Sequence, residues 1–213
     1  MSESFSSLRR NGLLLAAIAL LAASLLAAID YWARPRLEFN RAEALRAELG
    51  ELVPANFHDQ PLDQTVDRLQ SEALGPGEQT LYRARLKDQV TAVLITAVAA
   101  DGYNGAIRLL LAVSVDQKLL GVRVLEHRET PGLGDGIERR KNDWIDGFNG
   151  HSLVDPEAAG WAVRKDGGQF DQFTAATITP RAVVGAVKRA LEYVEQHHQP
   201  LFLIESVQQA QSR

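Results

Sequence analysis

The sequence predicts an α+β domain, an antiparallel sheet flanked by helices, that follows one N-terminal transmembrane helix. Three observations lead to this fold class. Four apolar, strand-like runs succeed one another between residues 81 and 125, with turn residues between them. Apolar residues then recur at helical spacing after Pro180. Residues 13–29 form an uncharged run of about 17 residues, which is long enough to span a bilayer.

The N-terminal segment is predicted to be a membrane anchor with its N-terminus in the cytoplasm. Residues 13–29 are rich in leucine and alanine, and Tyr31 and Trp32 follow at the position of a membrane interface. Arg9 and Arg10 precede the run, so the positive-inside rule predicts that everything after it lies across the membrane. In a bacterium, the chain is then a single-pass inner-membrane protein with a periplasmic domain.

A cleaved signal peptide is the alternative interpretation of this segment. Leu26, Ala27 and Ala28 supply small residues near a possible cleavage site. We favour retention, because the apolar run exceeds the usual core of a signal peptide and aromatic residues follow it directly.

Residues 39–49 are predicted to form an amphipathic helix between the anchor and the domain, and Pro54 ends that stretch. A segment rich in glycine and proline, residues 74–78, separates this helical portion from the predicted sheet. The tail is rich in glutamine and is expected to be frayed. The predicted organisation is a cytoplasmic tip and anchor at 1–33, a helical connector and the N-terminal part of the domain at 34–78, the periplasmic domain at 79–199 and a tail at 200–213.

Four strands of the antiparallel sheet are predicted from β-branched and leucine-rich runs. These runs are residues 81–86, 90–98, 106–115 and 119–125. Hairpin turns are predicted between them at residues 87–88, 101–102 and 116–117.

The segment after the sheet has three glycines in five positions, Gly132, Gly134 and Gly136. Because glycine has no Cβ, the backbone here can approach another group closely, and a flat ligand is one candidate. The spacing alone instead favours a tight connection into a helix at residues 137–148. The buried face of that helix consists of Ile137, Trp144, Ile145 and Phe148.

The last helix is predicted to start at Thr179, which suits the N-cap, with Pro180 at the first helical position. Its apolar positions are Val183, Val184, Val187, Leu191 and Val194. The first turn of a helix has unpaired N–H groups and the positive end of the helix dipole, so a phosphate on Thr177 is stabilised there. The alternative interpretation is that Thr174, Thr177 and Thr179 are ordinary loop and capping residues that carry no phosphate.

The composition limits the function. The formal net charge is −4, with 23 basic and 27 acidic residues, so no basic excess attracts nucleic acid. The chain has no cysteine, which excludes disulfides, thiolate nucleophiles and the usual ligands of iron–sulfur clusters. Any redox centre is therefore organic or held by other groups.

Neither a metal site nor a catalytic residue is predicted. Glu126 and His127 are neighbours on a strand and point to opposite faces, so together with Glu129 they do not form a converging ligand set. His197 and His198 lie at the end of the last helix, where the dipole favours a cation.

Residues 171–177, Asp-Gln-Phe-Thr-Ala-Ala-Thr, resemble the flavinylation motif of the FMN-binding domain family. In that family a flavin transferase joins FMN through its phosphate to the final threonine, which here is Thr177. Ala175 departs from the motif, because the family usually has glycine at this position. Segments 101–107, 126–135 and 165–173 resemble, in the same order, the G subunit of the Rnf ion-translocating electron transport complex, which is related to the C subunit of the sodium-pumping NADH:quinone reductase.

The resemblance implies a membrane-anchored electron-transfer subunit that carries covalent FMN in a ferredoxin- and NAD-linked, ion-translocating oxidoreductase complex. It implies a redox subunit of a translocase rather than a stand-alone enzyme, with the other subunits, the membrane and a flavin transferase as partners. The implied FMN contacts besides Thr177 are Thr174, Ala175, Ala176, Asp171, Glu129, Thr130, Leu133, Gly134 and Lys165. Asp171 is expected to serve transferase recognition or to order the loop. A cofactor-free anchored periplasmic module for assembly or ligand binding is the alternative.

Overall fold

The computed structural model describes residues 2–62 and 66–202. The chain divides into two compact units, Met1–Leu45 and Arg46–Arg213. Helix α1 (Ser2–Leu52) contains both the predicted anchor and the predicted connecting helix, and it ends just before Pro54, as predicted. The glutamine-rich end of the predicted tail, residues 207–213, lies outside the described residues.

In the first unit, the described large apolar side chains of the 13–29 run are exposed, among them Leu15, Leu21 and Leu26. No helix in the described part of the chain meets the length and apolarity required of a membrane span. The side chains of Arg9 and Arg10 lie outside what the structure describes. The transmembrane helix and its orientation therefore stay predictions.

The second unit is built on a five-stranded antiparallel sheet in the order β1-β2-β3-β4-β5. The strands are β1 (Val66–Leu69), β2 (Gln79–Leu86), β3 (Gln89–Ala99), β4 (Ile107–Ser114) and β5 (Leu119–Glu126). The α+β class and the four predicted strands, which are β2 to β5, are confirmed. Lys87 and Asp88 have φ of +50° and +65°, as the two central residues of a tight hairpin turn require.

Strand β1 corrects the prediction that the chain before residues 74–78 is helical. It pairs with β2, with Val66 opposite Tyr82. Two of its four residues, Asp67 and Arg68, are charged, so no apolar run marks it in the sequence. Short, charged strands are typical of sheet edges, where they discourage pairing with other chains.

The core lies on both faces of the sheet. Helix α2 (Ile178–Gln196) covers one face with buried residues such as Val183 and Val187, and the short helix α3 (His198–Phe202) follows it. On the opposite face Leu94 is also fully buried. The end of α1 is buried as well, because Leu52 packs against Gly121 of β5. Helix α2 and the end of α1 therefore both pack against strands of the sheet.

The predicted helix at residues 137–148 is wrong. The structure has two 3₁₀ helices, Asp135–Ile137 and Asp143–Phe148. The second starts anew because the Asn142 side chain accepts a hydrogen bond from the Trp144 N–H and caps it. The predicted buried side chains Ile137, Ile145 and Phe148 are fully buried, whereas Trp144 is half-buried.

Candidate functional site

An open cleft lies where three segments meet beside the start of α2. Its volume is roughly 140 Å³, below the roughly 300–1,000 Å³ of typical small-molecule sites, so the cleft would enclose only part of a ligand. The segments are the connection from β3 to β4, the chain that follows β5, and the approach to α2. The cleft is lined by Tyr103, Glu129, Thr130, Leu133, Gly134, Ala175, Ala176, Thr177, Ile178 and Thr179. The structure therefore brings together seven of the ten sequence-predicted site residues.

Glu129 joins all three segments through its carboxylate. It is 4% exposed, although it follows the exposed Arg128. Its Oε1 accepts a hydrogen bond from the Asn104 backbone N–H at 3.1 Å, and its Oε2 accepts one from the Thr179 hydroxyl at 2.5 Å. A buried carboxylate needs such donors, because its desolvation is costly without them. The walls of the cleft are thus linked through one side chain.

Two glycines make room for this carboxylate. A Cβ on Gly134 would lie 2.8 Å from Glu129 Oε2 and 2.9 Å from Thr179 Oγ1, and a Cβ on Gly102 would lie 3.0 Å from Glu129 Oε1. Gly134 has φ of −90°, which any residue adopts, so close packing rather than backbone conformation requires glycine there. The glycine loop was expected to admit a ligand, but the group that approaches Gly134 belongs to the protein.

Thr130 closes the loop that carries Leu133. Its carbonyl accepts hydrogen bonds from the N–H groups of Leu133 and Gly134, both at 3.1 Å. Its hydroxyl accepts one from Asn104 Nδ2 at 2.8 Å. The side chain of Leu133 is 48% exposed at the rim of the cleft, and that of Tyr103 is 65% exposed. The rim of the cleft is therefore apolar and accessible.

The turn that leads into the opposite wall contains an unusual backbone conformation. Ala176 N–H donates to the Phe173 carbonyl at 3.2 Å, which leaves Thr174 and Ala175 at the tip of the turn. Ala175 has φ of +67°, a left-handed conformation that an L-residue with a Cβ adopts at a cost. This is the position at which glycine was expected from the flavinylation motif.

Thr177, rather than Thr179, occupies the N-cap of α2. The helix begins at Ile178, and its first backbone bond runs from the Arg181 N–H to the Thr177 carbonyl. The Thr177 hydroxyl makes no capping hydrogen bond, and its side chain is half-buried at the cleft. The prediction that Thr179 caps the helix is wrong, because its buried hydroxyl bonds to Glu129 instead.

The start of α2 leaves donors near Thr177. The N–H groups of Ile178 and Thr179 precede the first intrahelical bond, and Pro180 has no N–H. Arg181 makes a two-point ion pair with Asp166, at 2.6 and 2.9 Å, which ties the preceding loop to the helix. The same bonds lower the pKa of the Asp166 carboxyl and raise that of the Arg181 guanidinium.

Thr174, Asp171 and Lys165 do not line the cleft. Asp171 pairs with Arg164 at 2.9 Å on the surface, and its carbonyl accepts a hydrogen bond from Trp144 Nε1 at 2.7 Å. The backbone N–H of Lys165 donates to the Gln172 side chain at 3.2 Å. These contacts order the loop before Thr177, which is one of the two roles expected of Asp171.

A network of charges supports the loop after β5 from behind. His127 Nδ1 accepts from the Glu129 backbone N–H at 3.0 Å, and Nε2 lies 3.0 Å from Glu138 Oε1. Lys141 bonds to Asp135 and Glu138 at 2.9 and 2.6 Å. Hydrogen bonds from Lys141 are the main cause of the lowered pKa of both carboxyl groups. In the described part of the chain, no cluster of three or more acidic or histidine side chains is arranged to hold a metal ion.

Sequence reasoning missed Tyr103, Ile178 and Thr179 as cleft residues, the last of which was predicted only as a helix cap. It also missed Asn104 as a partner of the cleft wall. Tyr103 and Asn104 fall inside the segment 101–107 that carried part of the family resemblance, which was the available signal. Ile178 lies between Thr177 and Thr179, and only its 44% exposure in the structure distinguishes it from a core residue of α2.

The chain is similar to proteins of one kind over almost its whole length. Residues 102–192 match the FMN-binding domain family, and residues 1–52 match the RnfG N-terminal region. The chain is 48% identical over 197 residues to the G subunit of the ion-translocating oxidoreductase complex of Pseudomonas aeruginosa (strain UCBPP-PA14), covering 92% of each chain. It is 44% identical to the protein of the same name from Vibrio cholerae serotype O1 (strain M66-2), covering 92% of this chain and 94% of the relative. All the residues that line the cleft fall inside the matched domain.

Proposed function

Because this chain belongs to the family of G subunits of the ion-translocating oxidoreductase complex and contains an FMN-binding domain, we propose that it carries FMN as a phosphoester on Thr177 and relays electrons between other subunits of such a complex. Membership of the family supports an electron-transfer role.

The observation that carries the proposal is the setting of Thr177. Its hydroxyl is not used to cap α2, its side chain reaches the cleft, and the first N–H groups of the helix follow it directly. A phosphate esterified at this oxygen would lie beside donors that otherwise need water, at the positive end of the helix dipole. The neighbouring threonines are less suited, because Thr174 is outside the cleft and Thr179 is bonded to Glu129.

The residues of the cleft fit the rest of FMN. The phosphate would be held at Thr177, while Tyr103, Leu133 and Ile178 offer apolar surface for a flat ring system. Glu129 and Thr130 add polar groups to the lining of the cleft. Bound there, FMN would supply two-electron uptake and one-electron release, and the chain's own task is to hold it, exclude side reactions and set its electronic environment.

The N-terminal unit is proposed to anchor this domain in the inner membrane. The uncharged run of residues 13–29 exposes leucine and isoleucine side chains in the described structure, and a bilayer would remove that apolar surface from water. Arg9 and Arg10 before the run favour a cytoplasmic N-terminus and a periplasmic domain. A covalent link suits that location, because flavin released there would be lost from the complex.

The proposal is tested by the intact mass of the full chain, co-expressed with a flavin transferase and extracted from membranes. We expect a mass increase of one FMN less one water, on a chain that retains its N-terminal segment. Thr177→Val keeps the shape of the side chain but removes the oxygen, so it should abolish the increase while the circular dichroism spectrum is kept. Thr177→Ser, which keeps a hydroxyl at the same position, is the matched control and should retain the flavin.

Three results would contradict parts of this proposal. Flavin still attached to the Thr177→Val variant would refute the residue assignment. A mass that lacks the first residues up to the 26–28 region would favour a cleaved signal peptide over an anchor. An unmodified full-length chain, purified with an active transferase, would favour the cofactor-free assembly or ligand-binding module.

A further inference from the structure

The wall of the cleft contains a buried negative charge without a cationic partner. The described partners of the Glu129 carboxylate are neutral donors, the Asn104 N–H and the Thr179 hydroxyl. Lys141 and Arg181 are paired with other carboxylates, since Lys141 bonds to Asp135 and Glu138 and Arg181 bonds to Asp166. None of the ion pairs among the described residues includes Glu129.

The hydrogen bonds of Glu129 match those of a carboxylate. Both carboxylate oxygens accept, one from a backbone N–H and one from a hydroxyl, and an ionised carboxylate is an acceptor at both oxygens. His127 does not bond to the Glu129 carboxylate, because its Nδ1 accepts the Glu129 backbone N–H and its Nε2 lies 3.0 Å from Glu138 Oε1. The cleft therefore has a fixed negative charge on one wall.

We propose that Glu129 sets the reduction potential of the flavin in this cleft by opposing the charge that reduction adds; this inference rests on the proposed function. Reduction of a neutral flavin ring by two electrons and one proton leaves it with one additional negative charge. A buried carboxylate on the cleft wall repels that charge more strongly than a solvated one, because the medium around it screens poorly. Glu129 thus lowers the potential and is a tuning residue rather than a catalytic one.

Two substitutions separate the charge of Glu129 from its structural role. Glu129→Gln retains the size of the side chain, an oxygen acceptor for the Asn104 N–H and an amide that can donate to the Thr179 hydroxyl, but it removes the charge. Glu129→Asp retains the charge but shortens the side chain and disturbs both hydrogen bonds. Glu126→Gln is the matched control, because it removes one negative charge at an exposed position three residues away.

The measurement is a spectroelectrochemical titration of the full-length, flavin-loaded protein and its variants. We expect Glu129→Gln to shift the reduction equilibrium at least tenfold towards the reduced form, which is about 30 mV for a two-electron couple. Glu129→Asp and Glu126→Gln should shift it far less. The reduced-minus-oxidised infrared spectrum of the unsubstituted protein should also contain a carboxylate band that persists in Glu126→Gln, so the test does not depend on the folding of Glu129→Gln.

The outcomes distinguish this inference from the proposed function. Absence of flavin from the unsubstituted protein refutes the proposed function on which the inference rests. A flavin-loaded Glu129→Gln variant with an unchanged or lower potential overturns the tuning role alone. A larger shift in Glu129→Asp than in Glu129→Gln also overturns it, because the potential would then follow geometry and not charge. A reduced-minus-oxidised infrared spectrum without a carboxylate band would also overturn the tuning role.

Discussion

Replacing Ala175 by glycine should stabilise this domain, although most substitutions destabilise a protein. Ala175 has φ of +67° at the tip of the turn before Thr177, and its methyl group is exposed. The left-handed conformation costs an L-residue roughly 1–2 kcal/mol, whereas glycine adopts it freely. Glycine also makes the unfolded chain more flexible, which offsets roughly 0.4–1 kcal/mol of that gain. The net stabilisation expected for Ala175→Gly is about 0.5–1 kcal/mol.

Thermal unfolding of the flavin-free full chain measures this effect. For a chain of this size, the expected change corresponds to a rise in Tm of about 1–4 °C. Ala176→Gly is the matched control, since Ala176 is the next residue, is half-buried and does not have positive φ. That variant should be destabilised by roughly 0.5–1 kcal/mol. If Ala175→Gly lowers Tm as much as Ala176→Gly does, the argument from the left-handed backbone is wrong.

Two further predictions concern the walls of the cleft. Thr179→Val should lower the free energy of unfolding by roughly 1–3 kcal/mol in chemical denaturation, because buried Glu129 loses a hydrogen-bond donor. The control Thr174→Val, at an exposed position, should change it by about 0.5 kcal/mol or less. Equal effects of the two substitutions would show that the Thr179 hydroxyl does not stabilise Glu129. Lys141→Met should lower the free energy of unfolding at neutral pH. In the folded protein Lys141 holds the pKa values of Asp135 and Glu138 below those of the unfolded chain, which are near pH 4. The resulting stability is present above about pH 4 and is lost as the pH falls through the pKa values of the folded protein. The pH dependence below about pH 4 should therefore be shallower in the variant, and an unchanged acid limb would contradict this.

The sequence predicts the regular part of this fold well, because its signals are local. Strands β2 to β5 are apolar runs separated by turn residues, and Pro54 ends α1 through its own covalent structure. Strand β1 is not predicted, because it is short and two of its four residues are charged, and only its pairing with β2 makes it a strand. The helix predicted at 137–148 fails because the Asn142 cap starts a separate 3₁₀ helix, although the apolar spacing correctly predicts three of the four buried side chains.

The site is less predictable, because its organising contacts join residues far apart in the chain. Glu129 bonds to Asn104, 25 residues before it, and to Thr179, 50 residues after it. No local pattern in the sequence shows that the buried carboxylate of Glu129 bonds to the Thr179 hydroxyl, which the sequence predicts to cap α2. The contact between Glu129 and Thr179 also explains why residue 134 is glycine, although the sequence around it suggested the close approach of a ligand. Family resemblance predicts seven of the ten residues that line the cleft, whereas the reason why they converge is visible only in the structure.

The openness of the cleft and the covalent linkage proposed for Thr177 explain each other. Tyr103, Leu133 and Ile178 are 65%, 48% and 44% exposed, so the walls leave much of a flat ligand accessible to solvent or to a partner. Such a cleft provides little affinity by itself, because ligand sites that bind tightly bury most of their ligand. A short tether supplies an effective concentration of about 1 mM, at which even a site with a Kd of about 1 mM is half occupied. Attachment at Thr177 would thus allow the cleft to stay open, and an open cleft lets an electron-transfer partner approach the ring directly.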